Sequence, residues 1–454
     1  MMFRSSPRPS QVLFLSTSLL LAWWLVGPAA LAQQGAGIAA DAQADEPDLP
    51  AEETPDPAAA RPRAAEAQPP GRTATAPARP DIGTKPYLVL QVDEDQRRER
   101  FNVMAMLRNR KFEPGEEERF EAYYRRYFLP RWTQPANRAS LPLLRRELRN
   151  NLLSGRTGPP HKRLQAVILD YLGKMASANV HPAARVNAML MIGELNAEEP
   201  LRAGDTPTPL PAALPVLLQA LGDDEQIDPV KVAALVGIIR YTQFGQLTPE
   251  ATSAVQQAMI RLAQSPGAPA RSPEGHAWMR AQAAKALGLL GSVGRNAEVP
   301  RLLTNLVADR QLDMLVRCRA ATALGQLNYT GADGLSAAQP IAALGRLAAD
   351  AIRADTDHFD EDPNGFSRRR VKARLVAVLQ GLAGDEDEPS QGIAPLVGAA
   401  DEKATYDSLR EQIEKLSALF DDRQSGDAEI VQALRASLAG LEPARSPATA
   451  QTGQ

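Results

Sequence analysis

Cysteine is almost absent: the 454 residues contain one, Cys318. An internal disulfide is therefore impossible, and zinc modules built on several thiolates are excluded. Histidine is scarce as well, and His161, His181, His276 and His358 fall in no paired-ligand spacing. Aromatic residues make up only 5% of the chain, whereas Ala and Leu are plentiful. That balance suits helices packed through small side chains better than β-sandwiches. Neither charge sign dominates: 51 Lys+Arg face 54 Asp+Glu, a net charge of −3. The positive field of a general nucleic-acid binder is missing, so nucleic acid is not an expected partner. No P-loop, G-x-G-x-x-G or G-x-S-x-G occurs. These gaps point to a chain without cofactor or metal and to a role other than catalysis.

What the chain does have begins with an export signal. Arg4 and Arg8 form a basic start, Val12 to Val26 an apolar run, and Ala30-Leu31-Ala32 a small-residue site with cleavage expected between Ala32 and Gln33. The run is shorter than the ~20 residues a spanning helix needs, and no later segment is long and apolar enough to span. Residues 1–32 thus read as a signal peptide, and the protein as exported, periplasmic or extracellular. An uncleaved segment would instead leave it membrane-tethered. Arg outnumbers Lys and Ala and Pro abound, a composition typical of GC-rich bacteria. Residues 33–85, rich in Pro and Ala and nearly devoid of larger apolar side chains, read as a disordered spacer. Residues 444–454 read as a short polar tail.

From Phe101 onward apolar residues recur with the 3.6-residue period, broken by Pro, Gly and Asp. Only Tyr87–Val92 suggests a strand. Within the helical stretch one motif repeats itself. Val316-Arg317-Cys318-Arg319-Ala320-Ala321-Thr322-Ala323-Leu324-Gly325-Gln326-Leu327 closely matches Met279-Arg280-Ala281-Gln282-Ala283-Ala284-Lys285-Ala286-Leu287-Gly288-Leu289-Leu290. Weaker copies start at Arg185, Lys231 and Lys372, and the central apolar positions are Ile192, Ile238, Leu287, Leu324 and Leu379. A second helix is predicted before each copy, over 161–176, 211–221, 249–263, 299–308 and 340–353. The spacing of roughly 40–50 residues marks stacked two-helix units, none able to bury its own apolar face alone.

The motif V-R-x-x-A-A-x-A-L-G-x-L resembles the second helix of a HEAT repeat, of the kind also seen in phycobilisome-lyase-like proteins. The resemblance covers roughly residues 160–385. It implies an all-α fold, a right-handed α-solenoid of about five helix pairs with the second helices on the concave face, and binding or scaffolding as the activity. The expected organisation is a helical N-terminal cap over 86–155, HEAT-like repeats over 156–385 and a C-terminal helical cap over 386–443.

Several residues are candidates for function. The bases that open the second helices (Arg185, Lys231, Arg280, Arg317, Arg319, Lys372 and Arg374) would form a positive, partner-binding stripe if repetition aligned them. The alternative is a ladder of ion pairs with acids such as Asp309 and Asp313. Phe120, Tyr123, Tyr124, Tyr127 and Phe128 interleave with Arg125, Arg126 and Arg131, a mixture that stacks on sugars or bases when exposed and forms a cap-helix core when buried. Asp360-Glu361-Asp362-Pro363-Asn364-Gly365 imitates a calcium loop, but the twelfth position is Val371, where chelation needs Glu. Cys318 lies between two Arg and reads as a packed thiol. Glu147, Asp170 and Glu194 are the acids an enzyme would have to bring together. The reading is an exported protein-interaction scaffold with unidentified protein partners. A cell-envelope polysaccharide binder is the alternative and an enzyme the third.

Overall fold

Helix starts are written locally as capping side chains. In the computed structural model, Thr248, Ser272, Asp313 and Ser367 each accept a backbone N–H from the first turn that follows, at 3.2, 3.0, 2.7 and 3.3 Å. Each satisfies a donor that the helix itself cannot. Proline often follows the cap, where its missing N–H costs nothing. The structure describes residues 86–441, apart from 203, 268–270, 331–333, 386–390 and 423. The signal segment with Ala32 and Gln33, the spacer over 33–85 and the tail over 444–454 lie outside the described residues.

The described residues form an all-α fold of fifteen helices. They are α1 (Arg100–Asn109), α2 (Glu116–Ala122), α3 (Leu141–Gly155), α4 (Pro159–Ser177), α5 (Pro182–Gly193), α6 (Leu214–Gly222), α7 (Asp228–Phe244) and α8 (Pro249–Gln264), then α9 (Pro273–Leu290), α10 (Glu298–Ala308), α11 (Met314–Gln326), α12 (Ala338–Thr356), α13 (Arg368–Ala383), α14 (Ala400–Ala418) and α15 (Asp427–Leu441). Five consecutive pairs, α4/α5 through α12/α13, pack within themselves. The second members also pack in order: α5 on α7, α7 on α9, α9 on α11 and α11 on α13. Ahead of them α1 packs on α3 and α3 on α5; behind them α14 and α15 close on α12 and α13.

Small residues let the second helices touch. A methyl added at Gly237 would sit 3.0 Å from the Gly193 Cα and 2.9 Å from Leu217, and one at Gly288 would sit 2.8 Å from the Ala323 Cα. The recurring glycine of the motif is therefore a contact point between successive units. Around these points Ile192, Ile238, Leu287 and Leu324 are fully buried, each stabilising the fold by about 1.5–3 kcal/mol relative to exposure. Leu379 is only half-buried; in its helix Leu375, Val378 and Leu382 take the core positions. The last copy has Gln380 where the others have Gly or Ile, and its contact glycine, Gly381, comes one residue later, against Ala321.

One local expectation is corrected. Tyr87–Val92 is not a strand: Leu88 N–H donates to Asn179 O at 2.7 Å and Leu90 N–H to Thr133 Oγ1 at 2.9 Å, with no strand alongside. Among the described residues the one sheet lies elsewhere, a short antiparallel pairing of β1 (Asn196–Glu198) with β2 (Thr208–Pro209) inserted between α5 and α6. Asp228 is the first residue of α7, and its carboxylate holds Arg271 through two bonds of 2.7 and 2.8 Å.

Candidate functional site

On two of the second helices the residues left outside the fully buried core form stripes at i, i+4, i+7 and i+11. On α9 the stripe is Trp278, Gln282, Lys285 and Leu289; on α11 it is Leu315, Arg319, Thr322 and Gln326, all half-buried or more exposed. Val236 on α7 and Leu143 on α3 are also exposed apolar residues, at 40% and 59% exposure. Residues of this kind would normally be polar on a helix facing only water.

Most of the candidate bases turn away from this surface. Arg185 Nε donates to Ala176 O at 3.0 Å, Arg280 Nε to Ala263 O at 2.8 Å and Arg317 Nε to Val307 O at 3.0 Å. In all three, the guanidinium at the same motif position closes the end of the first helix of its own pair. It satisfies a carbonyl that the helix leaves open and lies at the negative end of the helix dipole. Burial lowers the pKa of Arg185 and Arg280, yet arginine stays charged because its ordinary value is so high. Arg317 is nearly inaccessible and also binds Asp350 at 2.8 Å. Asp350 further pairs with Arg310 at 2.9 Å, so one acid ties together α11, α12 and the turn before α11.

The other copies depart from this pattern. Lys372 pairs with Asp421 and Arg374 with the fully buried Asp355, which also receives Arg370. Asp309 and Asp313 accept backbone N–H groups of Gln311 and Leu315 instead of pairing with the motif bases. Arg368, in the triple-arginine start of α13, reaches Asp427 and Ser425 O. Lys231 and Arg319 make no hydrogen bond or ion pair among the described residues. Arg319 and Lys285 each have their pKa lowered chiefly by burial, and Lys285 further by the Arg319 charge. Burial pushes the Cys318 thiol up to about 11 despite Arg374, Arg317 and Arg319 nearby. The neutral thiol is thereby favoured over a nucleophilic thiolate.

The aromatic residues of the N-terminal segment are interior. Phe120, Tyr123, Tyr124, Phe128 and Trp132 are buried, and Tyr127 nearly so. A π-helical turn over Tyr123–Phe128, with Leu129 N–H bonded to Tyr124 O at 2.9 Å, widens the backbone so that two adjacent pairs of rings face inward. Arg131 lies over the Tyr127 and Phe128 rings at 5.3 and 5.7 Å. The ring faces are thus occupied by the protein itself.

The dispersed acids stay dispersed. Glu147 pairs with Arg100, Glu194 with Arg145 and Arg149, and Asp170 with Arg125 and Lys174. The bonds from Lys174 and Arg125 lower the Asp170 pKa. In the calcium-like loop, Asp360 pairs with Arg435 at 2.9 Å, and Asp362 accepts the Asn364 N–H at 3.1 Å as the cap of a short turn.

One buried polar network has no counterpart in the motif. His161 and Gln165 of α4, Asn196 and Glu199 of the β1 insertion and Arg240 of α7 connect in series. His161 Nδ1 faces Leu152 O at 3.2 Å, and Gln165 Nε2 lies 2.7 Å from His161 Nε2 and also bonds Asn196 O. Asn196 Nδ2 donates to Glu199 at 2.7 Å, and its Oδ1 accepts from Arg240. Burial lowers the His161 pKa and raises that of Glu199. The network fastens the insertion onto the helices, and its members carry no periodic signal because three separate elements supply them. No protein-family model matches the sequence, and no curated protein matches it either.

Proposed function

We propose that the chain is an exported HEAT-like α-solenoid acting as a non-catalytic protein-interaction scaffold of a bacterial envelope, periplasmic or extracellular. The observation that carries this reading is the shared contact logic of the pairs. In three of the five, the same arginine closes the preceding helix, and in successive pairs small residues seat one second helix on the next. Units built this way are stabilised by their neighbours and propagate an extended surface, the property that stacked helical repeats use for binding. The exposed apolar residues Leu143, Val236 and Leu315 support a macromolecular partner. The cluster from Phe120 to Trp132 is buried and so offers the polysaccharide alternative no stacking platform.

The test is photo-crosslinking in living bacteria, with a crosslinking amino acid placed at 143, 236 or 315 of the full chain. A discrete protein adduct at these positions, absent when the label is at 261 on α8, supports the scaffold. Adducts equally abundant at both faces, or absent at all positions, refute it. Val236→Asp and Leu143→Asp should each weaken the adduct while leaving the circular dichroism spectrum unchanged.

A further inference from the structure

Lys285 and Arg319 are unusual among the bases of the second helices. They stand side by side on α9 and α11, where Gly288 brings the two helices together against Ala323. Both are half-buried, and among the described residues neither has a hydrogen bond or ion pair. Nearby, Arg317 and Arg374 meet the acids Asp350 and Asp355, and Arg280 of α9 closes on the Ala263 carbonyl. Two like charges withdrawn from water next to each other oppose folding unless an anion joins them. The flanks of the pair are apolar: Trp278 and Leu289 on the α9 stripe, and Leu315, 37% exposed, on the α11 stripe.

We propose that Lys285 and Arg319 form a carboxylate clamp that takes an acidic segment of a partner protein, with that segment's apolar side chains resting on Trp278, Leu289 and Leu315. The proposal rests on the interaction-scaffold reading and names the partner chemistry of one part of that surface. Polyanions fit less well. Nucleic-acid backbones recruit arrays of bases, and anionic membranes recruit clusters of roughly four to eight Lys or Arg. Two cations framed by Trp and Leu match a short peptide in which Asp or Glu alternates with apolar residues. Lys285 and Arg319 supply the charge-assisted hydrogen bonds, and Gln282 offers a neutral polar group one turn from Lys285, whereas the Thr322 hydroxyl donates to Gln380 Oε1 at 3.1 Å.

The experiment follows the fluorescence of Trp278 in the full chain, with Trp278→Phe as the blank. The probe is a synthetic peptide of alternating Glu and Leu. Its Gln/Leu counterpart, phosphatidylglycerol vesicles and polygalacturonate are the competing arms. The Glu/Leu peptide should shift Trp278 emission saturably. Lys285→Gln or Arg319→Gln should each weaken it about tenfold, as expected for loss of one charge-assisted contact. Lys285→Arg and Arg319→Lys should restore binding. Thermal unfolding of the Gln variants should be unchanged or raised, since removing one charge relieves the repulsion; a merely structural pair would be lowered. Equal binding of the Gln/Leu peptide, wild-type affinity in both Gln variants, no response to the Glu/Leu peptide, or a Trp278 response only to vesicles or polygalacturonate overturns the clamp. If the crosslinked adduct persists in Lys285→Gln and Arg319→Gln but is lost in Val236→Asp, the clamp falls and the scaffold stands. If the adduct is absent from wild type at all three positions, the scaffold falls as well.

Discussion

Gly237→Ala tests the contact on which the stacking depends. In the interior of an isolated helix, alanine is more favourable than glycine by about 0.8–1 kcal/mol. At Gly237, however, the new methyl would lie 3.0 Å from the Gly193 Cα and 2.9 Å from a Leu217 methyl. An ordinary carbon–carbon contact needs about 3.5–4 Å, so α5 and α7 must move apart by more than half an ångström. Overpacking of this kind costs about 1–3 kcal/mol, and a backbone obstacle places the cost toward the upper end. The net expectation is a destabilisation of about 1–2 kcal/mol. Gly173→Ala on α4 is the control: its methyl would meet only Val216, at 3.8 Å, an ordinary contact. That variant should be stabilised by about 0.5–1 kcal/mol. Urea unfolding of both, with hydrogen exchange to localise the effect, gives the two signs. Because stacked units need not unfold together, protection in α5 and α7 is the more direct measure. Stabilisation of Gly237→Ala by as much as Gly173→Ala would show that α5 and α7 do not approach each other there, and the packing argument would fail.

Other predictions follow from single residues. Arg317→Met should cost about 3 kcal/mol, because it breaks a buried pair and leaves Asp350 short of one base. Arg280→Met, which loses only a carbonyl bond, should cost about 1–2 kcal/mol in the same unfolding assay. Glu199 has a folded pKa raised above its ordinary 4.5 by burial. Its contribution is therefore favourable in acid and is lost as pH rises through the folded value; Glu199→Gln should remove that decline, read from unfolding midpoints between acid and neutral pH. Acrylamide should quench Trp278 but not the 1%-exposed Trp132, and polysaccharide should leave Trp132 emission unchanged. Protein recovered from the bacterial envelope should begin at Gln33 by N-terminal sequencing; an intact N-terminus would instead indicate a tethered chain.

Much of the helical framework was readable because its cause is local. Thr248, Ser272, Asp313 and Ser367 announce helix starts within three residues of themselves, and Ala283, Leu287, Ala320 and Leu324 mark a buried face by spacing alone. The aromatic N-terminal segment was readable in part, since Phe120, Tyr124 and Tyr127 already shared a face. The π-helical turn that brings Tyr123 and Phe128 inward with them depends on packing and leaves no such mark. The candidate bases were harder still. An arginine at a repeated position is identical in sequence whether it faces solvent, closes a helix or meets an acid far along the chain. Arg280 and Arg317 share a motif position and both close a preceding helix, yet only Arg317 also meets an acid, Asp350.

From the amino-acid order alone came the helical class and the near-repetition of the units, because periodicity acts over one or two turns. Tertiary structure decided which charges are satisfied. The Arg317–Asp350 pair spans two helices, and the network from His161 to Arg240 joins three separate elements. Partners brought together by folding share no spacing in the chain, and desolvation exists only once neighbouring helices exclude water. For that reason the isolation of Lys285 and Arg319 becomes visible only in the packed molecule.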